Sequence, residues 1–174
     1  MTDQQREHEH RIVVGVDGSA PSKAALAWAV RQARLTGAVV EAVIAWEVPL
    51  TVRTPWPPAW STDFRGAAEH LLADAIADMP DSADRAGIRP RVMEGNAAQV
   101  LREAAAGADL LVVGNRGHGA LAEALLGSVS QECVQRAMCP VLVIRNSRLP
   151  SRAAAANGSA TKADEEASAD EDHR

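Results

Sequence analysis

The sequence predicts an α/β fold in which helices cover both faces of one parallel sheet. Five short apolar segments alternate with four segments of helical periodicity, which is the pattern of repeated βαβ units. The first and fourth strand segments are apolar on both faces, as strands in the centre of a covered sheet must be. Right-handed crossovers between such units give a Rossmann-like, doubly wound, five-stranded sheet with its ligand crevice at the carboxyl ends of the strands.

The first strand, helix and second strand occupy residues 11–46. Residues 11–16 form an apolar strand that is followed by Asp17, Gly18 and Ser19. Ser19 can cap the next helix, Pro21 suits its first turn, and Gly37 is a typical helix stop. Residues 38–46 are rich in valine and isoleucine, and they predict the second strand.

A proline-rich connection follows and leads to the second helix. Residues 47–63 contain four prolines together with Trp56 and Trp60, which is typical of either a functional lid or a mobile segment in a compact domain. We expect the two tryptophans to pack on the domain or to cover its cleft. The apolar spacing of residues 64–79 then predicts a helix.

The third strand has the charge pattern of a sheet edge. It spans residues 88–94, where Arg89 and Arg91 alternate outward, and charge on an edge strand discourages aggregation. Asn96 is a plausible cap for a helix over residues 97–106.

The most informative stretch is the one that follows the fourth strand, residues 110–113. Glycines allow a backbone to approach a ligand closely and to adopt positive φ, so that N–H groups converge on an anion. Ser128 followed by Gln131 predicts a capping box, and a helix N-terminus attracts phosphate. The groups expected to face the anion are Gly114, Arg116, Gly117, His118, Gly119, Gly127, Ser128, Val129 and Ser130.

The spacing Gly114-x2-Gly117-x9-Gly127-Ser128 resembles the nucleotide-binding pattern of the ATP-binding universal stress proteins. The resemblance extends to the first strand with Gly15 and Asp17, and to the final strand at residues 141–144. It implies strand order 3-2-1-4-5 and a crevice between strands 1 and 4. It also implies that residues 42–45, with Val43 among them, border adenine, and that Asp17 contacts ribose or a phosphate-bound metal.

From this resemblance the expected ligand is ATP, ADP or AMP, bound with or without Mg²⁺. The expected function is an ATP-binding, stress-response regulatory protein that acts as a nucleotide-dependent binding module. The alternatives are a slow ATPase and a dimeric interaction module that does not use nucleotide. No catalytic residue and no protein metal site are predicted. Family members commonly form homodimers, so we expect pairing through Val141, Leu142, Val143 and Ile144, with further protein partners unknown.

Composition excludes several other classes of protein. The net charge of −5 without a basic patch argues against nucleic acid as the main partner. No apolar run approaches the length of a membrane span, and the first residues do not form a secretory signal, so the expected compartment is the cytoplasm. Cys133 and Cys139 lack redox or metal-ligand spacing, and we expect two reduced thiols.

Three regions are expected along the chain. Residues 1–10 form a flexible N-terminus, residues 11–146 the nucleotide-binding domain, and residues 147–174 a disordered acidic tail, because the tail has too few large apolar side chains to offset its ordering entropy.

Overall fold

A computed structural model describes residues 9–48, 63–79, 87–117 and 126–145 of the chain. The strands in this part are β1 (Arg11–Gly15), β2 (Val39–Trp46), β3 (Ile88–Glu94), β4 (Leu110–Gly114) and β5 (Val141–Ile144). The helices are α1 (Ala20–Thr36), α2 (Phe64–Ala77), α3 (Ala97–Ala104) and α4 (Ser128–Arg136). Every predicted strand and helix is present, with ends that differ by one or two residues, the usual uncertainty of such boundaries.

The five strands form one all-parallel sheet in the order β3-β2-β1-β4-β5, as predicted. Val13 pairs with Glu41 of β2 on one side and with Leu111 of β4 on the other. The carboxyl ends of β1 and β4 therefore lie side by side, although about 100 residues separate them in sequence. This is the switch point at which open α/β sheets bind ligands.

Two apolar layers hold the helices against the sheet. On one face, Leu26 of α1 and Leu72 of α2 pack with Val14 and Val112. On the other face, Leu101 of α3 and Cys133 of α4 pack with other side chains of the central strands. The prediction of helices on both faces is thus confirmed.

Helix ends in the first half of the domain follow the local sequence signals. Ser19 is the N-cap of α1, and its side chain accepts a hydrogen bond from the N–H of Ser22. Gly37 ends this helix with φ of 74°, a left-handed conformation that favours glycine. Asn96 caps α3 and accepts hydrogen bonds from the N–H groups of Ala98 and Gln99.

β3 is an edge strand, as its charge pattern predicted. Arg89 is exposed and forms a bidentate ion pair with Glu9, with nitrogen–oxygen distances of 2.7 and 2.8 Å. Arg91 reaches Glu41 of β2, a buried carboxylate that Arg11 also contacts at 3.0 Å. The buried charge of Glu41 is thereby compensated on two sides.

Some predictions fall outside the described residues. These are the flexible segment at residues 1–8, most of the proline-rich connection, His118 and Gly119, and the acidic tail. Glu9 and His10, at the end of the predicted flexible segment, are described: Glu9 pairs with Arg89, and the carbonyl of His10 accepts a hydrogen bond from Val39.

Candidate functional site

A cleft of about 480 Å³ opens at the carboxyl ends of β1 and β4, which is the location that the strand order predicted. Its volume lies within the range of small-molecule sites. Among the described helices, α1 and α4 present their first turns to the cleft, and α3 presents apolar side chains. The lining includes the predicted residues Gly15, Asp17, Val43, Gly114, Arg116, Gly117, Gly127, Ser128, Val129 and Ser130.

Gly114 allows the end of β4 to lie against the first turn of α1. A Cβ on Gly114 would be 2.9 Å from the carbonyl carbon of Pro21 and from the backbone nitrogen of Ser22. Gly15 is also tight, but a Cβ there would meet the methyl groups of Leu101, the nearer at 2.8 Å. Gly114 is therefore needed for the close approach of two backbones, whereas a Cβ on Gly15 would require a movement of the Leu101 side chain only.

Positive φ was expected in the glycine stretch after β4, and the structure corrects that expectation for Gly114, Gly117 and Gly127, whereas Gly119 lies outside the described residues. Gly127 has φ of −73°, and Gly114 lies within a strand. The positive φ values of the described glycines occur elsewhere, at Gly18, Gly37, Gly95 and Gly107. The glycines of the cleft thus contribute the absence of a side chain, not a left-handed turn.

Asp17 both closes a turn and faces the glycine stretch. Its Oδ1 accepts hydrogen bonds from the backbone N–H and the hydroxyl of Ser19, at 3.0 and 2.6 Å. This arrangement is an Asx turn, in which an aspartate side chain bonds to the backbone two residues further on. Its Oδ2 lies where a Cβ on Gly117 would stand, so the two predicted residues are in direct contact. One carboxylate therefore links the start of α1 to the loop after β4.

The first turn of α4 is built differently from the prediction. The N-cap is Gly127, Ser128 is the first helical residue, and no side chain caps this end. The predicted capping box of Ser128 and Gln131 is wrong, because the extended backbone that an N-cap requires, with ψ of 162°, falls one residue earlier. The N–H groups of this turn receive no side-chain cap and open onto the cleft.

Ser130 and Asn115 fix the loop to the sheet. The Ser130 hydroxyl is buried and donates to the carbonyl oxygen of Gly114 at 2.6 Å, so its single O–H is committed within the protein. The N–H of Asn115 donates to Ile144 of β5 at 2.7 Å, and its carbonyl accepts from the N–H of Gly127 at 2.8 Å. These bonds hold the start of α4 beside the end of β4.

Arg116 carries an unusual buried atom. Within the described part of the chain, its Nε is buried without a hydrogen-bond partner. An unpaired polar atom of this kind is costly unless something satisfies it. Arg116 is also one of the residues that line the cleft, and its Cα lies beside Gly127 at the start of α4. It is the group most suited there to meet an anion.

The strand pairing decides which residues of β2 face the cleft. Val43 pairs with Gly15 and lines the cleft together with Ala45, whereas Ala42 and Ile44 belong to the core on the opposite face. Of the predicted residues 42–45, only Val43 and Ala45 therefore face the cleft.

Several lining residues were not singled out from the sequence. Ser22 is buried, donates through its hydroxyl to the carbonyl of Ser19, and accepts from the N–H of Asp17. Its position three residues after a predicted cap was the available signal. Ala97 and Leu101 of α3 share one face of their helix and close the apolar end, but no local pattern shows which helix lies there.

The two cysteines are free thiols, as expected. Burial raises the pKa of Cys133 to about 11, with a smaller contribution from the nearby Glu132 carboxylate. Burial also raises the pKa of the half-buried Cys139. Both thiols are thus poor nucleophiles near neutral pH.

Two further observations concern the described residues. Within them, no three or more histidine, cysteine, aspartate or glutamate side chains cluster in a way that could hold a metal ion. None of the described helices has both the length and the apolarity needed to cross a membrane.

Residues 9–145 match the model of the universal stress protein family. A universal stress protein of Mycobacterium tuberculosis is 36% identical over 147 residues, which cover 79% of this chain and 48% of that protein. The chain thus spans about half the length of the curated mycobacterial relatives that it matches.

Solved structures of similar proteins share the fold. A member of the universal stress protein family from Burkholderia pseudomallei is 30% identical, with a TM-score of 0.58, over 79% of this chain and 97% of that chain. A universal stress protein solved in complex with cAMP is 28% identical, with a TM-score of 0.58, over 79% of this chain and 98% of that chain.

Proposed function

The chain belongs to the universal stress protein family, and on that premise we propose that it is an ATP-binding regulatory protein of the stress response, a binding module that responds to nucleotide. The observation that carries the proposal is the uncapped N-terminus of α4, which opens onto a cleft of about 480 Å³ beside Gly114 and Gly117. The cAMP complex of a similar protein supports an adenine nucleotide as the ligand class.

The phosphates would lie at the first turn of α4. Free N–H groups and the positive end of the helix dipole favour negative charge there. Ser128 is exposed and its hydroxyl does not cap the helix, so it can donate to a phosphate oxygen. Arg116 supplies the positive charge, and an anion beside it would compensate a guanidinium whose Nε has no partner among the described residues.

The base and ribose would occupy the opposite part of the cleft. Val43, Ala45 and Leu101 offer an apolar surface of the kind that contacts a purine ring. Asp17 can accept hydrogen bonds from ribose hydroxyls, or it can contribute one oxygen to a Mg²⁺ ion. Mg²⁺ commonly takes one or two carboxylates and completes its shell with phosphate and water, so a single aspartate fits this chemistry.

A second copy of the chain would cover the open edge at β5. All four residues of Val141–Ile144 are apolar and only half-buried, and an uncharged apolar edge strand is prone to pair. We propose a homodimer through this strand and an unidentified protein partner that distinguishes the nucleotide states. Sedimentation of the purified chain at micromolar concentration should show a dimer, and a monomer under those conditions would contradict this part of the proposal.

The test of nucleotide binding uses protein purified without added nucleotide. Chromatography of the denatured sample should reveal an adenine nucleotide, or calorimetry of the stripped protein should show binding of ATP with Mg²⁺. A folded sample that gives neither result would refute the proposal.

A matched pair of variants locates the site. Arg116→Gln should weaken binding by about 10- to 100-fold, because a charge-assisted hydrogen bond contributes about 1.5–3 kcal/mol. Arg136→Gln, the same change at the exposed far end of α4, should leave the affinity within about twofold, because it lies outside the cleft lining. Equal effects from the two variants would contradict the placement of the phosphates.

A further inference from the structure

A second concave surface lies between α2 and the edge strand β3, and it shares no lining residue with the nucleotide cleft. We call it the α2–β3 groove, and its volume is about 590 Å³. Leu72, Ile76 and Val92 form its apolar floor, and the ion pair of Arg65 with Glu69 stands at one end. Its walls are formed by Ala73, Ala77 and Pro90.

The walls of the groove have short side chains. Ala73 and Ala77 are four residues apart, so they lie on the same stripe of α2, and both are exposed. Pro90 is also exposed, and it has no N–H with which to pair a further strand along this edge. The structure thus leaves apolar surface open beside an edge that is poorly suited to strand addition.

The parts of the chain outside the described residues differ in what they could place there. Residues 1–8 and 80–86 contain one large apolar side chain between them, that of Met1. Residues 118–125 connect to the nucleotide cleft, and residues 146–174 continue from β5 at the opposite edge of the sheet. Only residues 49–62 combine aromatic side chains with ends near the groove.

We propose that the α2–β3 groove is the docking site for residues 49–62 of the same chain, with Trp56 or Trp60 as the side chain that fills it. The stretch begins after β2, the neighbour of β3, and it re-enters the described chain at Asp63, the N-cap of α2. The segment therefore rejoins the described chain two residues before Arg65, which stands at one end of the groove. Fourteen residues can span about 46 Å, ample to cross the groove and return.

The chemistry of the stretch matches the surface. A tryptophan contributes a large apolar area that proteins normally bury. Its single N–H can donate to water at the edge of the groove. Pro55 and Pro57 flank Trp56, and Pro58 lies two residues before Trp60. These prolines restrict the backbone near the tryptophans, which reduces the entropy lost when the segment is held on a surface. This inference concerns a different surface from the nucleotide site and does not rest on the proposed function.

The experiment is NMR on the full chain with labelled indole nitrogens and labelled isoleucine and valine methyl groups. Trp56→Phe and Trp60→Phe assign the two indole signals. In the unaltered chain, at least one of these indoles should show nuclear Overhauser contacts to the methyl groups of Ile76 or Val92. Ala73→Arg, which places a long charged side chain in the groove, should remove them, and Ala67→Arg, at an exposed position of α2 outside the groove, should retain them.

A second measurement keeps the inference testable if Ala73→Arg disturbs the fold. A double variant with Trp56→Ala and Trp60→Ala alters no described residue, and it should at least double the relaxation that a soluble gadolinium chelate causes at the Ile76 and Val92 methyl groups. The inference is overturned if the unaltered chain shows no indole contacts to the groove, or if these contacts survive Ala73→Arg in a folded sample. It is also overturned if mixed labelling shows that the contacts arise between two copies.

Discussion

Gly114 provides the sharpest test of how the cleft is assembled, because its neighbour is backbone. In Gly114→Ala the new Cβ would be 2.9 Å from the backbone of Pro21 and Ser22, so the start of α1 and the end of β4 must separate. Gly15→Ala is the matched change on the adjacent strand. There the new Cβ meets the methyl groups of Leu101, which can move by side-chain rotation.

The expected magnitudes follow from this difference. Overpacking of a close-packed site costs about 1–3 kcal/mol. Replacing a glycine in a strand by alanine also stabilises the folded state by roughly 0.5–1 kcal/mol, because alanine loses less conformational entropy on folding. Gly114→Ala should therefore lower the free energy of unfolding by about 1–2 kcal/mol, whereas Gly15→Ala should stay within about 0.5 kcal/mol of the unaltered protein. For a domain of this size the first change corresponds to a fall in Tm of about 3–6 °C.

Urea unfolding, followed by circular dichroism on ligand-free protein, measures both values. The slope of the transition should be the same for all three proteins, which would show that only the stability has changed. The reasoning is refuted if Gly15→Ala costs as much as Gly114→Ala, because the distinction between a backbone clash and a side-chain clash would then have no energetic consequence.

Three further predictions concern the cleft and its surroundings. Gly117→Val should abolish nucleotide binding with little change in Tm, since the new side chain would displace the Asp17 carboxylate from the cleft but would meet no backbone atom at this exposed position; calorimetric affinity equal to that of the unaltered chain would contradict the site. Ser128→Ala should change the free energy of unfolding by less than about 0.5 kcal/mol, because no side-chain cap is lost, while affinity falls about three- to tenfold; a loss of 1 kcal/mol or more in urea would show that this hydroxyl does cap α4. The pKa of Cys133 is raised from 9.0 to about 11, so this thiol ionises at a lower pH in the unfolded chain than in the folded protein. The free energy of unfolding should therefore decline between pH 9 and 11 by an amount on the order of 2 kcal/mol. Urea melts of Cys133→Ala should lack this decline, and an undiminished decline would rule out the thiol as its cause.

Local signals in the sequence were sufficient for most of the secondary structure. The N-cap at Ser19 and the left-handed stop at Gly37 were predicted because each depends on residues within one helical turn. The edge position of β3 was anticipated from the alternation of Arg89 and Arg91, which is also a local pattern. Local periodicity carries this information because hydrogen bonds and side-chain spacing within one element repeat every few residues.

The error at Ser128 shows the limit of such signals. Gly127 and Ser128 are both acceptable caps by residue type. The choice depends on the direction from which the chain enters the helix, and that direction is set by the bond between the Gly127 N–H and the carbonyl of Asn115. A preference of a single residue cannot encode the position of a carbonyl on another element.

The sequence by itself determined the class of the fold, the order of its elements, and the glycine and serine residues that the structure places along the cleft. Tertiary structure alone decided that Asp17 touches Gly117, that Val43 rather than Ala42 faces the cleft, and that the Ser130 hydroxyl is committed to Gly114. The physical reason is separation along the chain. These contacts join residues that are 16 to 100 positions apart. They form only when β1 pairs in parallel register with β2 and β4.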